Sequence, residues 1–262
     1  MPPLGFHLVF RARDSRVIAP DVGAQRTLAV TLHRIGERYG LCAFRASGDH
    51  LHTANLCDRA AAGAFAQAVG SALTQTLGIS TGFGSTFLKP MLDQPHVEEV
   101  FAYIHRNAEK HGVGNDPTHE ASSIQALLGL RVAPSPFIPR VRARLPRVHR
   151  GQLLKLLGVA ELAPMVRIDL LADAAAGAVG LAHLDDTAPA VRARQAAVRL
   201  ALPTVPLGAV ADALALSERT TRRYRSTDAD PSLERMIALR MGHRAALGDR
   251  ARTDLPPLAR GA

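Results

Sequence analysis

The chain has no Trp, and aromatic residues make up only 4% of its 262 positions. Cys42 and Cys57 are its only cysteines. Two thiols make neither a disulfide framework nor a zinc site of the usual paired spacing, so reduced core thiols in a cytosolic protein are expected. No run of about 18 or more apolar residues occurs, and nothing is therefore expected to span a membrane. Met1-Pro2-Pro3-Leu4 lacks a charged stretch leading into an apolar one, which argues against secretion. Acid is scarce as well: 23 Asp and Glu stand against 32 Lys and Arg, for a formal net charge of +9. A chain this basic tends to meet polyanions, of which nucleic acid is the commonest. The plainer alternative is a solvated basic surface. The 47% of hydrophobic residues suffices for real cores, in one large domain or two modest ones.

Periodicity organises the first half. Gly5 to Arg13 reads as a strand, and Asp21 to Tyr39 as an amphipathic helix with Leu28, Leu32, Ile35 and Tyr39 on one stripe. Strands at Leu41–Ala46 and Asp49–Leu56 join across Ser47-Gly48 as a tight hairpin. A helix from Arg59 to Leu77 buries Phe65, Val69 and Leu73. The Gly- and Ser-rich stretch from Gly78 to Ser85 leads into a strand over Thr86–Leu92, then a helix from Pro95 to His111. This β-α-β-β-α-β-α order matches an α+β, ferredoxin-like (split βαβ) sheet with helices packed on one face.

Residues 131–150 change character. Pro134, Pro136, Pro139 and Pro146 break any regular element, and Arg140, Arg142, Arg144, Arg147 and Arg150 crowd between them. A basic linker results, able either to lie along a phosphate backbone or to stay solvated. The expected division is a domain over 1–130, this linker, an all-α domain over 151–247 and a disordered tail over 248–262.

Two short motifs carry chemistry. In Asp49-His50-Leu51-His52, strand alternation sends both imidazoles to one side and Leu51 to the other. In Tyr103-Ile104-His105-Arg106-Asn107, a phenol and a carboxamide four residues apart stack on one helix face. Val97, Val100, Phe101, Ile104 and Ala108 form that helix's apolar stripe. His96, Glu99, Tyr103, Asn107 and Lys110 lie on its flank, beside the sheet contact rather than in the core. Two imidazoles and an amide oxygen, His50, His52 and Asn107, can hold Mg2+ or Mn2+. A phenol, ordinarily of pKa about 10, becomes a useful nucleophile when a cation polarises the phosphate it attacks. Each motif alone is common, and a structural or surface His pair is the ordinary reading. Together, in a basic protein of this topology, they point to DNA strand cleavage.

From about Gly5 to Gly129 the chain resembles the REP-associated tyrosine transposases, of the single-tyrosine HUH family. The matching pieces are FHLVFRAR, the hairpin with DHLH, the segment FLKPML, and YIHRNAEKHGVG followed by Ala121-Ser122-Ser123. The resemblance implies a ferredoxin-like HUH domain with His50 and His52 as metal ligands on a central strand. It also implies Tyr103 as nucleophile on a helix, Asn107 as third ligand, and single-stranded hairpin DNA as substrate. Lys89, within FLKPML, is assigned to DNA contact. Gly48-Asp49 stands where the family usually has Pro-Asn, and Ala108 where it has Pro. One nucleophile cuts one strand per turnover, so two ends need a homodimer or successive reactions.

In the second half, an apolar helix from Leu207 meets a short turn at which Ser217 can cap a second, Arg-rich helix. That is helix-turn-helix spacing, with Arg219, Thr220, Arg222 and Arg223 placed for a major groove. With the helix over Val191–Ala201, the unit is similar to the DNA-binding domain of the replication initiator DnaA. The expected protein is thus a cytoplasmic, nucleoid-associated transposase-like nuclease and strand transferase with a helical DNA-binding domain. Its rivals are a domesticated DNA-binding regulator without the chemistry and an RNA-binding module. The last is disfavoured because the strands show no exposed aromatic platform for stacking bases.

Overall fold

The first strand, β1 (Gly5–Arg11), buries Phe6, Leu8 and Phe10 at no more than 2% exposure, which turns His7, Val9 and Arg11 to the other face of the sheet. The structure, a computed structural model, describes residues 2–106, 115–134, 136–228 and 230–248. β1 lies inside a four-stranded antiparallel sheet of order β2-β3-β1-β4, completed by β2 (Leu41–Ser47), β3 (His50–Asn55) and β4 (Phe87–Met91). The β2–β3 hairpin turns on Gly48-Asp49, one residue later than expected, with Gly48 at φ +58° and Ser47 paired to His50. A positive φ at that position suits Gly, which has no Cβ to clash.

Helices α1 (Val22–Gly36) and α2 (Arg59–Thr76) are capped by Asp21 and Asp58, whose carboxylates accept from the amides of Ala24 and Ala61 at 2.8 Å. Their apolar stripes cover one face of the sheet, where Leu28, Leu32, Phe65, Val69 and Leu73 pack on Phe10, Phe44 and Leu51. Each such fully buried side chain contributes roughly 1.5–3 kcal/mol. The expectation of helices on one face only is corrected by α3 (Gln94–Arg106). It lies on the opposite face, with Val97, Val100, Phe101 and Ile104 against Ala43 and Ala54. The sheet is therefore buried on both sides over β2 and β3, where Ala43 and Ala54 face α3 while Phe44 and Leu51 face α1 and α2.

The Pro-rich stretch is also ordered. After α4 (Ile124–Leu127), the chain forms α5 (Phe137–Arg144) and α6 (Arg150–Leu157), whose Phe137, Val141, Leu153 and Leu154 join the α3 side of the core. Pro139 sits in the first turn of α5, where a missing amide removes no helical hydrogen bond. Prolines there start a helix instead of preventing one.

Beyond a 3-10 turn at Ile168–Leu170 come α7 (Leu171–Ala178), α8 (Ala188–Ala201), α9 (Leu207–Ala213), α10 (Glu218–Arg225) and α11 (Pro231–Leu247). Ala174, Ala193, Ala197, Val210, Ile237 and Met241 help form their own core. The fold is α+β, with the sheet in the first half and, among the described residues, helices as the only regular elements in the second. No helix among the described residues is long and apolar enough to cross a membrane. Apart from Gly248, the expected disordered tail lies outside the described residues.

Candidate active site

The pairing register assembles the site on the α3 face of the sheet. Partners across adjacent strands project to the same side. His52 pairs with Arg45 of β2 and Val9 of β1, and Val9 in turn with Phe87 of β4. One row thus reads Arg45, His52, Val9, Phe87. In a neighbouring row, Ala54 pairs with His7 and His7 with Lys89; on the other side, His50 pairs with Arg11.

Three imidazoles come together there. His7 Nε2 and His52 Nδ1 lie 3.0 Å apart in a buried hydrogen bond, with the rings stacked at 5.3 Å between centroids. The His50 ring meets that of His52 edge-on at 4.9 Å, and His50 Nδ1 donates to Asp49 Oδ1 at 2.8 Å. Burial pushes the His7 imidazole down to about 4, helped by the charges of Lys89 and His96, so it is neutral at pH 7.

α3 brings the phenol. Its apolar stripe turns Val97, Val100, Phe101 and Ile104 inward and leaves Tyr103 half-buried on the flank. The Tyr103 ring lies 5.5 Å from that of His52 and 5.8 Å from that of His7, edge-on to each. Residues distant in sequence, on β1, β3 and α3, therefore meet around one point. Asn107, expected as the third ligand, lies outside the described residues.

Among the described residues, no group of three or more His, Cys, Asp or Glu is arranged to hold a metal ion. What the described residues offer is a pair, His50 and His52. Each has its Nδ1 engaged by a neighbouring side chain, the arrangement that fixes a metal-ligating imidazole's orientation and tautomer. Those two fit a divalent cation as partial donors.

Arg45 is a buried cation, 3% exposed, on the same face. It donates to the backbone oxygen of His105 at 3.3 Å, and burial lowers its pKa to about 10. It ties β2 to the last turn of α3 and so sets the height of Tyr103 over the sheet. Phe87 at the far end of the row is 63% exposed, which corrects the expectation that the strands carry no exposed aromatic. A cavity of about 400 Å3 lies elsewhere along α3, between Ala102 and Arg106 and the side chains of Leu145, Val148, Leu153 and Leu156; no described imidazole lines it.

The second set of expected residues sits on α10. Ser217 caps it as anticipated, its hydroxyl accepting from the Thr220 amide at 3.1 Å. Arg219, Arg222 and Arg223 are exposed, while Thr221 and Tyr224 anchor the helix inward. Thr220 is half-buried with its hydroxyl 2.9 Å from that of Ser217, and Arg222 donates to Glu218 Oε2 at 2.6 Å. Lys89 is exposed on β4, on the imidazole face. These cations do not converge with Tyr103 on one element. Sequence reading missed His7, Arg45 and Phe87. The alternation of Phe6, Leu8 and Phe10 already turned His7 outward, but only the strand order put it beside His52. Compared with known proteins, the chain matches no family model, no curated protein and no solved structure.

Proposed function

We propose that the chain is a metal-dependent single-strand DNA endonuclease and strand transferase of the HUH tyrosine type, acting on hairpin DNA. The observation that carries this reading is the Tyr103 ring 5.5 Å from His52, across a helix–sheet contact that also gathers His50 and His7. The antiparallel order β2-β3-β1-β4, with the His pair on an inner strand, supports assigning the sheet to the ferredoxin-like split βαβ class.

His50 and His52 would hold Mg2+ or Mn2+ through Nε2, since Asp49 and His7 engage their Nδ1 atoms, with Asn107 as the expected oxygen donor. When bound, the cation polarises the scissile phosphate and withdraws charge from it. With Nε2 given to an ion, His52 carries its proton on Nδ1 and donates to neutral His7. Tyr103 supplies the nucleophile: its phenol gives up its proton to solvent as the oxygen bonds to phosphorus, the bond from phosphorus to the 3′ oxygen breaks, and that oxygen takes a proton from solvent and leaves as the 3′-hydroxyl. The product is a 5′-phosphotyrosine, which keeps the phosphodiester energy for rejoining. Exposed Arg219, Arg222 and Arg223 on α10 contribute duplex contacts that help choose the site.

Incubating the purified protein with Mn2+ and a hairpin-bearing single strand is expected to yield a covalent protein–DNA adduct and a free 3′-OH. Tyr103→Phe should abolish both, and an adduct that survives this substitution removes the assignment. A DNA-binding regulator without cleavage is the second reading, favoured because the α10 arginines do not depend on the imidazole cluster. Tight hairpin binding with no metal-dependent product from any substrate supports it.

A further inference from the structure

Of the eight phenylalanines, six are buried at 4% exposure or less and Phe83 is half-buried; Phe87 alone is exposed, at 63%. Leaving such a ring in water forgoes the stabilisation its burial would bring, so folding does not account for its placement. The position is specific. Phe87 stands on β4 opposite Val9, and Val9 stands opposite His52, so Phe87 and His52 are two strands apart, about 10 Å, on the same face. Two residues along the strand, on that face, is exposed Lys89. Arg11, one pleat along β1 from Val9, has a side chain 68% exposed and only a loose contact with Asp49 at 3.7 Å.

We propose that Phe87, with Lys89 and Arg11, forms a platform on which an unpaired base of single-stranded DNA stacks as the strand crosses the sheet toward Tyr103. The inference rests on the nuclease reading above and adds to it the part of the substrate that β4 holds. An aromatic face set among cations is the chemistry that recognises a strand with a π-face on every base and a charge on every linkage. An apolar protein partner, or a second copy docked through β4, would leave the Lys89 and Arg11 charges facing apolar surface.

The test uses the full chain with chelator present, so that binding is read without cleavage. The probe is a DNA hairpin with single-stranded flanks and 2-aminopurine moved through the flank one position at a time. One position is expected to be quenched. Phe87→Leu should lose that quench and about 5- to 150-fold in affinity, the usual effect of removing a stacking ring. Phe87→Trp and Phe87→Tyr should restore both, which a merely apolar contact would not require. Wild-type binding that Phe87→Leu leaves unchanged overturns the platform and spares the nuclease reading. No binding by the wild type removes both. Tighter binding of the RNA counterpart, or a concentration-dependent dimer abolished by Phe87→Leu, also overturns it.

Discussion

His7 directs its Nε2 at His52 Nδ1 from a strand next to the one that carries the His pair, a diagonal contact across β1 and β3. A residue so placed governs which nitrogen of His52 carries the proton and where its ring points. It touches no substrate in the proposed reaction and acts through His52, as a positioning residue. His7→Phe should therefore lower Mn2+-dependent nicking by about 10- to 100-fold, the usual penalty for losing the partner of a ligating imidazole. His7→Gln, whose amide can take up the same hydrogen bond, should recover part of the rate. The check is single-turnover nicking across a Mn2+ titration: the loss should shrink as Mn2+ rises, and equal rates for wild type and His7→Phe at all concentrations would refute the role. At this scale the sequence was informative about His50 and His52, because a period of two needs only a strand. It was silent on His7 and Phe87, because being on one face is not being neighbours until the strand order is known.

Among the elements, α9 and α10 followed the sequence closely, since a cap and a helical stripe are local. Ser217 caps α10, and Thr221 and Tyr224 face the core. The exposed arginines differ in what holds them. Arg222 pairs with Glu218, whereas the Arg223 guanidinium lies 5.5 Å from the Tyr224 ring. If α10 meets duplex DNA, Arg219→Ala and Arg223→Ala should each reduce the slope of log affinity against log salt by about 1, with a smaller effect from Arg222→Ala because its charge is already partly compensated. Fluorescence anisotropy at several salt concentrations measures this; slopes that do not move would take α10 out of the interface. One element and one placement were not legible. α5 hid behind its prolines, which read as breakers until Pro139 is seen to occupy a first turn. The side of the sheet taken by α3 depends on how the chain leaves β4, a direction that periodicity does not encode.

For the molecule as a whole, one buried carboxylate joins the two halves. Glu120 is 1% exposed and takes ion pairs from Arg26 of α1, Arg131, and Arg240 and Arg244 of α11, while Gln125 donates to its second oxygen at 3.1 Å. These cations hold its pKa well below the usual carboxylate range despite burial. Asp173 of α7 also pairs with Arg26, at 2.6 Å. Gly177 of α7 completes the fit, because a Cβ there would come within 2.0 Å of the Arg240 guanidinium. Glu120→Gln leaves several buried guanidinium groups short of their shared anion and should destabilise the protein by about 3–5 kcal/mol. The same substitution should make the sheet half and the helical half unfold at different denaturant concentrations, where the wild type is expected to unfold in one transition. Urea unfolding followed by far-ultraviolet circular dichroism decides it, and a loss below about 1 kcal/mol would show the cluster to be dispensable. The sequence by itself determined the strands and helices as far as α3, the common face of His50 and His52, the flanking position of Tyr103 and the capped basic helix, because each follows from a repeat of two or 3.6 residues along a local stretch. Only the tertiary structure decided that β1 lies beside β3, that α3 crosses the face opposite α1 and α2, and that Glu120 gathers arginines from both halves. Those facts depend on contacts between residues far apart in the chain, and no local period carries that information.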